Sequence, residues 1–183
     1  IATVGIAVKP IIDAEIELQR LNRVLNTVTG SSEATAQTIE FLRDVSQESG
    51  QSFSDLTGSF SKFAASAVNA GVPLSTVQTV FANAARAAGN LGLETEATGR
   101  ILNALGQIAS KGTVQMEELK GQLGESLPGA MNLTAKALGL TTQELTKLIE
   151  SGGLLAEDAL PAIGDAMLQL ASKSGEVDGL TAS

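Results

Sequence analysis

The 183-residue chain contains no cysteine, histidine, tryptophan or tyrosine. Without sulfur there is no disulfide, no thiolate zinc site and no iron–sulfur cluster, and the redox compartment leaves no trace in the sequence. Without imidazole there is no Ser-His or Cys-His nucleophile pair and no histidine-held metal. Aromatic residues reduce to five Phe and prolines to four. Charge is also sparse, at 17 % of residues against a typical ~25 %. It is unbalanced, with 12 Lys and Arg against 20 Asp and Glu, for a formal net charge of −8. That balance argues against nucleic acid, which calls for a clustered basic surface, and against an anionic membrane. The longest uncharged run, Phe63 to Ala85, is interrupted by Asn69, Gly71, Pro73, Ser75, Gln78 and Asn83. It therefore lacks the ~20 predominantly apolar residues of a spanning helix. No cofactor and no metal is called for; carboxylate chemistry, lysine chemistry and binding remain.

What the chain does hold is apolar residues, at 43 %, and 19 glycines. The length suits one sizeable domain, or a smaller one with an arm. Small residues and low charge point to close helix contacts or to surfaces meant to be covered. The first residue is Ile1, with no basic stretch ahead of an apolar one, so the chain reads as part of a longer or processed product without a signal peptide. Val4, Ile6 and Val8 alternate with Thr3, Gly5 and Ala7 as in a strand. Beyond Pro10, the residues Ile11, Ala14, Leu18, Leu21, Leu25 and Val28 recur at 3-4 spacing and draw one stripe along a helix. That stripe is the candidate self-association surface.

Further helices follow, each closed by glycine. Ser31 and Ser32 are both candidate caps of one that ends at Gly50; Ser52 opens another that ends at Gly71 and Pro73; Ser75 opens a third, closed by Gly89. A fourth starts near Thr95 and stops at Lys111-Gly112, a cation followed by glycine. Gly121 and Gly124 then weaken a short helix, and their presence is read as another backbone passing close. Pro128 starts the next. Thr141 and Glu144 form a capping box, with Leu140 and Leu145 as its hydrophobic staple. The last helix is expected from about Asp158 to Lys173, with Pro161 in its first turn, and Gly175 to Gly179 reads as a linker. The fold class is all-α, a short N-terminal β-strand followed by about eight helices. The domain plan is residues 1–50 as strand and oligomerisation arm, 51–173 as the helical domain, and 174–183 as a linker to a missing region.

Catalytic readings are thin. Glu125 and Ser126 followed by Gly129-Ala130-Met131 are similar to the active-site region of lytic transglycosylases, where one Glu acts as acid and then base. The spacing is too short, and no Trp or Tyr exists to stack on sugars, so Glu125 is read as a solvated charge. Glu117 and Glu118 point about 100° apart on a helix and complement its dipole in the first turn. Glu157 and Asp158 sit the same way ahead of the last helix. Gly152-Gly153 lacks the Lys-Ser/Thr of a phosphate loop. A helix-turn-helix over Leu138 to Ala162 would present Glu157, Asp158 and Asp165 to DNA and no Arg. The chain is therefore read as not an enzyme.

One combination of residues is specific. Gly112, then Glu117-Glu118-Leu119-Lys120-Gly121-Gln122-Leu123-Gly124-Glu125, then Leu127-Pro128-Gly129-Ala130 stand in order. Ala135, Ala137-Leu138-Gly139-Leu140, Glu144-Leu145, Leu148-Ile149, Gly152 and Leu160-Pro161-Ala162 continue the pattern. This third of the chain resembles the conserved domain near the N-terminus of phage tail tape-measure proteins. Gly153-Leu154-Leu155 departs from it, since the family tends to a more polar turn there. The resemblance implies a structural protein of the virion, in the tail lumen, and in the host cytoplasm during assembly. It would help build the tail and determine its length. The implied partners are other tape-measure copies, tail chaperones, and tail tube or terminal tail proteins, with no specific nucleic-acid binding and no membrane contact by this segment. A generic helical interaction module that borrows the pattern is the other reading.

Overall fold

The computed structural model describes residue 19 and residues 22–180, with side chains described up to Leu170. The expected strand at Val4 to Val8 lies outside the described residues. Residues 22–29 are helical, and Gly30 turns the chain at φ 76°. Seven α-helices then follow among the described residues: α1 (Ser32–Ser49), α2 (Phe53–Asn69), α3 (Leu74–Asn90), α4 (Thr95–Lys111), α5 (Ala130–Ala137), α6 (Thr142–Glu150) and α7 (Ala156–Leu180). Between α4 and α5 lies a π-helical segment, Glu117–Leu123, followed by one α-turn, Gly124–Ser126.

The caps follow the side chains that precede the helices. Ser31 Oγ accepts from the Ala34 N–H at 3.1 Å, so the first turn of α1 has a partner for one otherwise orphan donor. Thr141 and Glu144 make the full capping box of α6, each side chain accepting from the other's backbone N–H. α3 differs from expectation: it begins at Leu74 after Pro73, without a side-chain cap. α7 differs at both ends. It starts at Ala156, which places Pro161 beyond the first turn and removes one helical donor, and it continues through Gly175–Gly179 to Leu180.

α3 is the central element. Nine of its residues are buried, among them Val77, Val80, Phe81 and five alanines, so partners cover it nearly all round. It packs on α7 most extensively and also on α1, α2 and α4, while α2 lies along α4. Phe60 and Phe81 meet edge to face with centroids 5.0 Å apart, and Phe41 tilts over both. The small residues do allow close contacts. A Cβ on Gly89 would stand 2.2 Å from the Ser49 carbonyl oxygen, and one on Gly164 would stand 3.3 Å from Val80 Cα.

Candidate functional site

The ordered motif run begins where α4 ends. Gly112 caps the helix with φ 72°, a left-handed value that favours glycine. Thr113 then pairs antiparallel with Leu155. The Val114 N–H donates to the Leu154 carbonyl at 3.0 Å, and the Ala156 N–H donates to the Gly112 carbonyl at 2.9 Å. This clasp ties the end of α4 to the start of α7. The Gly153-Leu154-Leu155 departure falls inside it, with Leu154 buried and Leu155 exposed.

The glycines of the next stretch have a different role from the one read in the sequence. Nothing lies within 4 Å of a Cβ built on Gly121, and the nearest atom to Gly124 is the Leu119 carbonyl oxygen of its own segment. No other backbone passes close. Instead the chain widens into a π-helix, a rare form that places its side chains off the 3.6-residue period. Leu119 and Leu123 are fully buried, and so is Glu118, which the sequence suggests only as a first-turn charge on the helix dipole beside Glu117. Lys111 Nζ donates to Glu118 Oε1, while Glu118 Oε2 has no partner. The hydrogen bond that Lys111 donates to the Glu118 carboxylate holds the ammonium above the ordinary lysine range, against the desolvation that lowers it. Gln122 Nε2 donates to Gln107 Oε1 at 3.0 Å, and Arg100 Nε to Ser126 Oγ at 3.3 Å. Both fasten the segment to α4.

Leu127 takes an extended conformation, as a residue before proline must, and its side chain is buried. Gly129 follows at φ 88° and starts α5 with Ala130 buried. Gly139 ends that stretch at φ 69°, and Leu145 is fully buried on α6. Glu125 and Pro128 are exposed. The apolar motif residues Leu119, Leu123, Leu127, Ala130 and Leu145 turn inward and build a packing unit, while Glu125 faces outward. Among the described residues no group of carboxylates could hold a metal ion, and no helix is long and apolar enough to cross a membrane. Of the self-association stripe, Ile11, Ala14, Leu18 and Leu21 lie outside the described residues. Leu25 is fully buried in the core, and Val28 packs half-buried against it.

Residues 9–182 match the family described as tape measure protein. The chain belongs to the tape measure protein family. A relative described as a probable tape measure protein, from Salmonella phage Felix O1 (isolate Felix O1-VT1), is 35% identical over 170 residues. Those residues make up 93% of this chain and 22% of that protein, so the chain spans about a fifth of the length of the relative it matches. No solved structure matches. In this tape measure chain the Gly112 to Ala130 run is thus the element that joins α4, α5 and α7. Sequence reasoning found the run as a pattern and missed the buried Glu118. The only signal for it was Lys111 seven residues earlier, a spacing without meaning until the π-helix is known.

Proposed function

We propose that this segment is a compact assembly domain of a phage tail tape-measure protein, which helps build the tail and determine its length. The supporting observation is that the motif residues form a folded-back core and not an extended rod. The longest helix among the described residues, α7, has 25 residues and spans about 37 Å, whereas 183 residues in one helix would span about 275 Å at ~1.5 Å each. The ruler is then the remainder of the protein, and this domain supplies contacts. Its partners are other tape-measure copies, tail chaperones and tail tube or terminal tail proteins. It resides in the tail lumen of the virion and in the host cytoplasm during assembly.

Since α1 packs on α2 and α3, the proposed arm narrows to the residues that precede Leu25. Residues 51–173 stay the body, and residues 174–183 lead toward the rest of the protein. Ile11, Ala14, Leu18 and Leu21 carry self-association, with Leu25 and Val28 fixing the stripe to the body. Light scattering on the 183-residue chain should show a multimer that Ile11→Asp plus Leu18→Asp dissolves without lowering the melting temperature. A monomer at high concentration removes self-association from the proposal.

A further inference from the structure

α3 and α7 cross closely where Gly164 meets Val80, and beside that crossing they part to leave a pocket of about 220 Å³. Small-molecule sites occupy ~300–1,000 Å³, so this one suits a single long side chain. Its walls mix two chemistries. Val80 and Pro161 are apolar, while Thr79, Asn83 and Asp165 are polar. Asn83 is 4% exposed and lines the pocket, and among the described residues its amide has no hydrogen-bond partner. A mid-helix amide at a pocket wall can take its partner from the pocket. Asp165 stands exposed at the rim without an ion pair, in contrast to Glu40, Glu48 and Glu118, which each have a cation. Thr79 Oγ1 donates its proton to the Ser75 carbonyl at 3.0 Å, which leaves the oxygen as an acceptor.

The pocket thus offers a carboxylate, an amide oxygen and a hydroxyl oxygen around an apolar slot. A guanidinium meets that set, with five N–H donors in a plane and a methylene stem for Val80 and Pro161; an ammonium concentrates three donors at a point. The net charge of −8 favours a basic partner over a second copy of this acidic chain. We propose that this pocket receives an arginine side chain from a basic segment of another protein.

The probe is N-acetyl-arginine amide, titrated into the isotopically labelled 183-residue chain and followed by amide NMR shifts. Its neutral isostere, N-acetyl-citrulline amide, is the comparison. The expected result is saturable shifts at Thr79, Asn83 and Asp165, with citrulline binding about tenfold weaker or less. Asp165→Asn, at an exposed position that leaves the core intact, should weaken arginine binding about tenfold. Shifts that do not saturate at those residues, equal affinity for the two probes, or affinity unchanged by Asp165→Asn would each overturn the proposal. Because the measurement uses the chain alone, it stands or falls apart from the assembly role.

Discussion

Replacing Gly89 with alanine should reverse the usual sign of a glycine-to-alanine change in a helix. Gly89 lies in the last turn of α3 with ordinary helical backbone, so by propensity alone Ala would add about 1 kcal/mol. Its Cβ, however, would stand 2.2 Å from the Ser49 carbonyl oxygen, where ordinary contact begins near 3.4 Å. About 1.2 Å of overlap must be relieved between two backbones, since neither atom ends a flexible side chain. The end of α1 is also pinned there: Gln51 Nε2 donates to the Ala85 carbonyl at 3.2 Å, and Ser46 Oγ donates to the Gln51 carbonyl at 2.6 Å. Overpacking costs about 1–3 kcal/mol, and a clash between two backbones belongs in the upper part of that range, about 2–3 kcal/mol, so the net change is a loss of about 1–2 kcal/mol after the propensity gain of about 1 kcal/mol is deducted. In a domain of this size that lowers the melting temperature by about 2–8 °C. Gly58 in α2 is the control: it is exposed, helical and has nothing within 4 Å of a built Cβ. Gly58→Ala should raise the melting temperature. Thermal unfolding followed by circular dichroism reads both. If Gly89→Ala melts at or above the parent, the close crossing of α1 and α3 is wrong.

Three further outcomes follow from the motif region and the caps. Leu127→Asp places an unpaired charge in the core and should cost about 3–5 kcal/mol, seen as a loss of about 6–20 °C in melting temperature. Lys111→Ala leaves the buried Glu118 without its cation and should lower the melting temperature, and Glu118→Gln added to it should restore part of the loss. Because the Lys111 pKa is raised, the pair's stabilisation is complete below the ordinary lysine range and fades as pH rises through the raised value, which alkaline melts of the parent and Glu118→Gln will read. Thr141→Ala should cost about 1 kcal/mol through loss of the cap. The Thr141 hydroxyl and then its N–H hold the Glu144 carboxyl below its ordinary value. The difference between parent and Glu144→Gln should therefore be constant above ~pH 5 and vanish as pH falls through that lowered value.

Helix order was legible because glycine and capping residues act locally. Ser31, Thr141 with Glu144, and Lys111-Gly112 each fix a terminus within four residues, and the structure places termini there. The 3-4 spacing of Phe53, Leu56, Phe60, Phe63 and Ala67 likewise marks the face that α2 buries, with Phe53 at its start only half-buried. The Gly112 to Ala130 run was legible as a combination, and the family it resembled is the one it belongs to. Its shape was not. A π-helix has no signature in 3.6-residue periodicity, so Gly121 and Gly124 read as room for another backbone and Glu118 as a first-turn charge on the helix dipole. The antiparallel clasp of Thr113 with Leu155 joins positions 42 residues apart and depends on tertiary contact alone. The Asn83 pocket escaped for the same reason, since Asp165 reaches it only through the packing of α7 on α3.

The proposed division of labour gives tail assembly to this domain and length measurement to other parts of the protein. The direct test is tail length by electron microscopy in phage whose tape-measure protein lacks either this segment or an equal number of residues elsewhere. The second deletion should yield tails shorter by about 275 Å, at ~1.5 Å per residue, and the first should yield no complete tails. Intact tails shortened by the same amount after loss of this segment would contradict it.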